Sequence, residues 1–121
     1  MGQQLVDFPV AAVRFVVEEH QLSDAGVEAL TRSPLLAQLN TLVLRHNQIT
    51  NAGVIALASS PATAGLARLD LSDNRILAEG ALALARSPYL CVTELQLWGN
   101  YILPPAVQAL RERFGTHVLI S

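Results

Sequence analysis

The amino-acid sequence predicts an α/β solenoid with short parallel strands on its concave side, α-helices on its convex side and a right-handed coil. The first reason is a skeleton of apolar residues ending in an asparagine. It occurs three times, with Asn47, Asn74 and Asn100 spaced 27 and then 26 residues apart. The second is a segment of helical spacing after each skeleton, and the third is a Ser-Pro step that recurs at one phase of the period. A fixed period of this length is typical of stacked repeats, which bury their apolar side chains only against neighbours.

The strands are predicted from the centre of the skeleton, where two leucines alternate with other residues. The clearest copy reads Leu39-x-x-Leu42-x-Leu44-x-x-Asn47-x-Ile49. Copies at 66–76 and 92–102 keep its spacing, and a fainter copy occupies 12–22. An asparagine amide holds donors and an acceptor, so we expect it to bond to the backbone of the turn after each strand. This structural role is predicted for Asn47, Asn74 and Asn100, and for His20, which replaces asparagine in the faint copy.

The helices are predicted to follow the asparagines, for example over 51–58, where alanines and apolar residues keep helical spacing until Ser60-Pro61 ends them. The last helix is expected to begin at Pro104-Pro105, because proline suits a first helical turn. The predicted repeats cover about 12–38, 39–65, 66–91 and 92–114. Residues 1–11 are predicted to form an improvised N-terminal cap, and 115–121 a C-terminal strand stub.

This pattern resembles the leucine-rich repeat family, specifically its ribonuclease-inhibitor-like subclass with an α-helix on the convex side. The stretch Leu69-Asp-Leu-Ser-Asp-Asn-Arg-Ile76, followed by Glu79-Gly80-Ala-Leu-Ala-Leu84, is similar to bacterial members of that subclass. The sequence departs from the pattern in its first copy and at Pro104-Pro105-Ala106, where glycine is expected. The resemblance implies a concave strand face that binds protein ligands.

On this implied face, the residues between the leucines form rows that cross the strands. The rows read Val16, Val43, Asp70, Gln96; Glu18, Arg45, Ser72, Trp98; Glu19, His46, Asp73, Gly99; and Arg14, Thr41, Arg68, Glu94. The residues that we expect to contact a protein partner are Trp98, Gln96, Arg45, His46, Asp70 and Asp73.

Three members of these rows have a structural alternative. Trp98 suits an interface anchor, but it also suits a cover over its own strand or the end of the sheet. Arg45 lies in a row between Glu18 and Ser72, and Arg68 lies opposite Glu94. For both arginines the structural alternative is a cross-strand charge pair, which we favour over a ligand contact because exposed pairs of this kind are weak and common.

The sequence predicts no catalytic centre, no cofactor and no metal site. Glu19, His46 and Asp73 form a ladder on a nearly flat face. We interpret it as a solvated row of charges, because it offers no closed ligand shell. Cys91 immediately precedes the last strand, among apolar residues, so we expect a buried structural thiol. There is no Ser-His-Asp order, glycine-rich phosphate loop or zinc-type spacing.

The composition excludes several classes of protein. Hydrophobic residues at 51% and charged residues at 15% exclude intrinsic disorder. A formal charge of -2 argues against a nucleic-acid partner, and no run approaches the roughly 18 apolar residues of a membrane span. A single cysteine and the absence of a signal-peptide pattern predict a cytoplasmic protein. A specialised secretion route leaves no such pattern and stays open.

These patterns predict a non-catalytic protein-protein interaction module that binds its partner through the concave strand face. The alternative is a structural or self-associating fragment of a larger leucine-rich-repeat assembly or effector. Four short strands present only a few hundred Å², whereas a standard interface buries about 800 Å² per partner. We therefore also expect a homo-oligomer formed through the open ends of the solenoid.

Overall fold

The structure, a computed structural model, describes residues 14–17 and 22–120, in which short parallel strands alternate with helices. The strands are β1 (Arg14–Val16), β2 (Thr41–Val43), β3 (Arg68–Asp70), β4 (Glu94–Gln96) and β5 (Val118–Leu119). The helices are α1 (Asp24–Thr31), α2 (Asn51–Ala58), α3 (Ala78–Arg86) and α4 (Pro104–Phe114). This architecture confirms the predicted α/β fold class, and α4 begins at the prolines as expected. The predicted N-terminal cap over 1–11 and the predicted turn residue His20 lie outside the described residues.

The strands form one parallel sheet in chain order, β1-β2-β3-β4-β5. Its register pairs Val16 with Val43, Val43 with Asp70, and Asp70 with Gln96. The row that begins at Arg14 is likewise in register across β1 to β4. Strand β5 pairs with β4 and forms the edge of the sheet. A repeat period of 26 or 27 residues therefore places equivalent side chains directly beside one another.

The hydrophobic core lies between the sheet and the layer of helices. Leu42, Leu69 and Leu95, the central residues of β2, β3 and β4, are buried together with the helix residues Leu57 and Leu84. Each helix packs against the next along the chain. Because one sheet face is used by this core, the opposite face remains for other contacts. We call that opposite face the open sheet face; its strand residues are 14, 16, 41, 43, 68, 70, 94 and 96.

The segments that return from helix to strand begin at the Ser-Pro steps. The buried Ser87 hydroxyl donates to the carbonyl of Ala58 at 2.6 Å and accepts from the N–H groups of Tyr89 and Leu90. At the equivalent position, Ser60 accepts from the N–H of Ala62. The recurring serine therefore organises the turns that lead from α1, α2 and α3 to the next strand.

The expectation of a buried Cys91 thiol is wrong, because Cys91 is exposed. In the segment leading into β4, Leu90 and Val92 are buried and Cys91 and Thr93 are exposed, so inward and outward side chains alternate. The equivalent residues 38 and 65 of the preceding repeats are exposed as well. The repeat phase, rather than the apolar neighbours, decides where this side chain lies.

None of the helices in the described ranges is long and apolar enough to cross a membrane.

Candidate functional site

The asparagines lie behind the candidate face, in the turns that follow β2, β3 and β4. The Nδ2 of Asn74 donates to the carbonyl of Leu44 at 3.0 Å and to that of Ser72 at 3.1 Å. Its Oδ1 accepts from the N–H of Asn47 at 3.0 Å. The Oδ1 atoms of Asn47 and Asn100 accept in the same way from the N–H groups of Leu22 and Ile76. Each amide thus ties its own turn to the preceding repeat and holds neighbouring turns in register.

A second set of side chains caps α2 and α3, each from the helix that precedes it. The Oδ1 of Asp24, at the start of α1, accepts from the N–H groups of Thr50 and Gly53 at 2.9 and 3.2 Å. The Oδ1 of Asn51, at the start of α2, accepts from the N–H groups of Leu77 and Gly80 at the start of α3, at 2.9 and 3.0 Å. The first N–H groups of a helix have no partner within it, so these contacts satisfy them and align successive helices.

The open sheet face carries charged side chains that pair across the strands. Arg68 lies 3.6 Å from Glu94 in the neighbouring strand, as expected from their shared row. Arg45 lies 3.8 Å from Asp70, which belongs to a different row from the one in which Arg45 was placed. The Asp70 carboxylate also accepts from the Ser72 hydroxyl at 2.6 Å and from its N–H at 3.0 Å. Asp70 is therefore a fixed acceptor, held from two sides.

Trp98 continues this set of contacts rather than standing alone. Its indole is partly buried, and the Nε1–H donates to the Oε1 of Gln96 at 3.3 Å. The Nε2 of Gln96 in turn donates to the Oε2 of Glu94 at 2.9 Å. The predicted contact residues Trp98 and Gln96 thus join the Arg68–Glu94 pair in one polar chain along β4. These side chains are held in place before any partner binds.

The predicted contact residues His46 and Asp73 lie elsewhere, in the turns after β2 and β3. Both have positive φ values, 61° and 54°, and Gly99 repeats this conformation at 78°. The three positions are equivalent, and glycine adopts this left-handed conformation without steric cost. His46 and Asp73 line a groove of about 470 Å³ together with Gln48, Asn74, Arg75, Leu77, Gly99 and Tyr101. The six predicted contact residues therefore divide between the open sheet face and this groove, which we call the turn groove.

The proposed ladder of Glu19, His46 and Asp73 is only partly visible, because Glu19 lies outside the described residues. Within the ranges that the structure describes, no three His, Cys, Asp or Glu side chains gather closely enough to hold a metal ion. On the open sheet face itself, the depression above β1 to β4 measures about 210 Å³. This is below the roughly 300 Å³ at which small-molecule sites begin. The face suits a protein surface better than a small ligand.

The residue-based reasoning missed a group of exposed side chains beside the turn groove. Leu77, Tyr101 and Leu103 are 48%, 68% and 67% exposed, although each is large and apolar. The signal was present in the sequence, since comparison at the repeat period aligns Leu103 with Leu77 and Tyr101 with Arg75. The positions compared across the repeats were the strand residues, the asparagines and the Ser-Pro steps, and they do not include these turn positions.

Comparison with known proteins agrees with the architecture. Residues 38–58 and 66–85 match the model of the family described as Leucine Rich repeat. These matches cover the second and third strands and the helices that follow them, and they support a leucine-rich repeat protein. No curated protein matches the sequence significantly.

Proposed function

We propose that this chain is a non-catalytic module that binds a protein partner through its open sheet face. Leucine-rich repeats are commonly protein-protein interaction modules, and two segments of this chain match that family. The observation that carries the proposal is the difference between the two faces of the sheet. One face is filled by buried leucines, whereas the other presents ordered polar side chains that the core does not use. The acidic balance of 10 Asp and Glu against 8 Lys and Arg supports a partner other than nucleic acid.

Binding would centre on Trp98 and Gln96, with Arg45 and Asp70 beside them and His46 and Asp73 at the margin. The indole is already held by Gln96, so little side-chain entropy is lost when a partner covers it. The Arg45 and Arg68 side chains are 42% and 64% exposed, and ion pairs of this kind contribute little stability. They can exchange an internal carboxylate for one on a partner at small cost, which favours a role in specificity.

A structural role is the second candidate, and one observation favours it. The polar side chains of the open sheet face already bond to one another, from Trp98 through Gln96 and Glu94 to Arg68. A face whose polar side chains already bond to one another needs no partner to satisfy them. In that case the chain acts as a fragment of a larger leucine-rich-repeat assembly, or self-associates through its ends.

The experiment that separates these candidates is an affinity capture from cell lysate with three forms of the protein. The wild type is compared with a Trp98→Ala, Arg45→Glu variant and with a control Gln108→Ala, Arg32→Glu variant, whose changes lie on exposed positions of the helix layer. Circular dichroism and thermal unfolding first establish that both variants are folded.

We expect a partner that is retained by the wild type and the control but lost by the open-face variant. Truncating a buried aromatic anchor typically costs tenfold or more in affinity, roughly 1.4 kcal/mol or above. Identical captures by all three forms would contradict binding through the open sheet face. Capture of this chain alone would favour the self-associating alternative.

A further inference from the structure

Three exposed apolar side chains lie together at one edge of the molecule, where the turns leave the strands. We call Leu77, Tyr101 and Leu103 the apolar edge. Among the described residues, six large apolar side chains are exposed, and half of them belong to this edge. Leu77 and Tyr101 line the turn groove together, and Leu103 occupies in the last repeat the position that Leu77 occupies in the one before. Helices α3 and α4, which begin directly after Leu77 and Leu103, pack side by side, so the two leucines lie at neighbouring helix starts.

The fold does not require apolar residues at these positions. In the preceding repeat the same positions hold Gln48 and Thr50. The backbone nevertheless adopts the same conformation at the helix start, with φ and ψ of -106° and -173° at Thr50 and -115° and -167° at Leu77. A polar side chain therefore builds the same turn. Because the turn forms with polar side chains as well, and Tyr101 and Leu103 are about two-thirds exposed, the patch suggests a function outside the fold.

The turn groove beside the apolar edge supplies a charge. Arg75 is exposed, and within the described part of the chain its guanidinium forms no ion pair, whereas Arg45 and Arg68 each face a carboxylate. Asp73 in the same groove turns toward the next repeat, because a Cβ added at Gly99 would overlap its Oδ1. The groove thus offers an arginine next to an apolar surface, and a guanidinium binds a carboxylate through paired hydrogen bonds.

We propose that the apolar edge and Arg75 form a docking surface for a short acidic segment of a partner protein. That segment places an aliphatic or aromatic side chain against Leu77, Tyr101 and Leu103, and a carboxylate against Arg75. This inference rests on the proposed protein-binding function and extends it to a second surface. It also supplies the missing area, because a sheet of short strands covers only a few hundred Å² and a standard interface needs about 800 Å² per partner.

The test uses a phage-displayed library of random 12-residue peptides, selected on the wild-type protein. We expect the selected peptides to share an apolar residue with Asp or Glu within about four positions, the span over which such a segment reaches both groups. A synthetic peptide of that consensus is then titrated by fluorescence anisotropy. Tyr101→Ser, Leu103→Ser and Arg75→Glu should each raise its Kd about tenfold or more. A peptide with lysine in place of its acidic residue should recover affinity for the Arg75→Glu variant.

Matched controls carry the same changes at exposed positions of the helix layer. Ile55→Ser and Arg86→Glu should leave the Kd unchanged, and so should Trp98→Ala on the open sheet face. Peptides whose binding depends on Trp98 and not on Tyr101, Leu103 or Arg75 would overturn this inference while leaving the proposed function intact. Selection of no peptide, or of peptides whose affinity ignores the charge swap, would overturn it as well. The lysate capture tests the proposed function separately.

Discussion

Asn74 is buried in the turn after β3, and its amide bonds to backbone groups of two repeats. It accepts from the N–H groups of Asn47 and Ile49 and donates to the carbonyls of Leu44, Leu71 and Ser72. A helix or strand would satisfy such groups by its own regular pattern, but a turn cannot. At this point the Asn74 side chain therefore supplies the hydrogen bonds that regular secondary structure supplies elsewhere. Its removal leaves buried backbone groups without partners.

We predict that Asn74→Ala lowers the free energy of unfolding by about 3–5 kcal/mol, because each orphaned buried group costs about 1–3 kcal/mol. Urea denaturation followed by circular dichroism measures the change. Asn100→Ala is the matched comparison. It should cost less, since Asn100 is only partly buried and its Oδ1 accepts from the N–H of Ile76, whereas the Oδ1 of Asn74 accepts from two N–H groups. A loss below about 0.5 kcal/mol for Asn74→Ala would show that water satisfies these groups, and equal larger losses for the two variants would contradict the dependence on burial.

Ser87 supports the return segment in a similar way, and its repeat equivalent provides a control. The Ser87 hydroxyl bonds to three backbone groups, whereas the Ser33 hydroxyl accepts only from the N–H of Leu35 among the hydrogen bonds within the described ranges. We predict that Ser87→Ala costs about 1–3 kcal/mol and Ser33→Ala about 1 kcal/mol or less. Chemical denaturation of both variants checks the order. A larger effect at Ser33 would contradict this reasoning.

At the scale of the elements, neighbouring helices are linked through their first turns. A Cβ added at Gly80 would lie 2.7 Å from the Oδ1 of Asn51, so glycine leaves room for the side chain that caps α3. Gly53 makes the same room for Asp24. In the last repeat this arrangement is absent. Ala78 offers no capping oxygen, and Ala106 takes the place of glycine at the start of α4. A capping side chain at the first residue of one helix thus requires glycine at the third residue of the next helix.

This arrangement predicts that the cost of filling Gly80 depends on residue 51. Gly80→Ala alone should destabilise the protein by about 1–3 kcal/mol, because its methyl group displaces the cap. In an Asn51→Ala background the cost should fall to near zero, because the helix propensity of alanine, worth about 0.5–1 kcal/mol, offsets the remaining contacts of the added Cβ with Ile76 and with the Cα of residue 51, at 3.0 and 3.3 Å. Urea denaturation of the four proteins gives the coupling energy, which we expect to exceed about 1 kcal/mol.

Gly65→Ala serves as the control, because the nearest atoms to an added Cβ lie 3.9 Å away. It should change the stability of the two backgrounds equally. A Gly80→Ala effect that is independent of residue 51 would show that the glycine serves another purpose.

The elements were predictable because their causes are local and periodic. Alternating leucines, the asparagine phase and Pro104-Pro105 suffice to place the strands, the sheet register and the start of α4. The error at Cys91 arose from judging a residue by its apolar neighbours when its repeat equivalents, residues 38 and 65, are exposed.

The side-chain contacts were less predictable, because long side chains choose among several partners at similar distance. Arg68 pairs with the carboxylate in its own row, whereas Arg45 has a contact with Asp70 of another row that the row alignment does not predict. The row neighbour of Arg45, Glu18, lies outside the described residues. A two-residue periodicity predicts which face of the sheet a side chain occupies. It does not predict the direction in which the side chain extends along that face. The candidate site could therefore be assigned to a surface from sequence, whereas its division into an open sheet face and a turn groove required coordinates.

At the scale of the whole molecule, the C-terminal end of the solenoid differs between its two layers. The helix layer ends on Gln108, Arg111 and Glu112, where α3 has Leu82, Ala85 and Arg86 at the equivalent positions. These polar residues surround a groove of about 560 Å³ whose apolar lining includes Ile102 and Val107. Within the described residues β5 is the last strand of the sheet, and Leu119 there is 53% exposed. In this part of the chain β5 is therefore less protected than α4.

We therefore predict that self-association, if it follows from the open ends, uses β5. Light scattering or sedimentation velocity of the wild type should show dimers or larger species at modest concentration, because an unprotected strand edge pairs with another chain. Leu119→Lys should restore the monomer mass, since a charged side chain on an edge strand opposes such pairing. Val107→Lys on α4 is the control and should leave the association unchanged. A wild type that remains monomeric at high concentration would refute the prediction, and a monomer produced only by Val107→Lys would assign the contact to the helix layer instead.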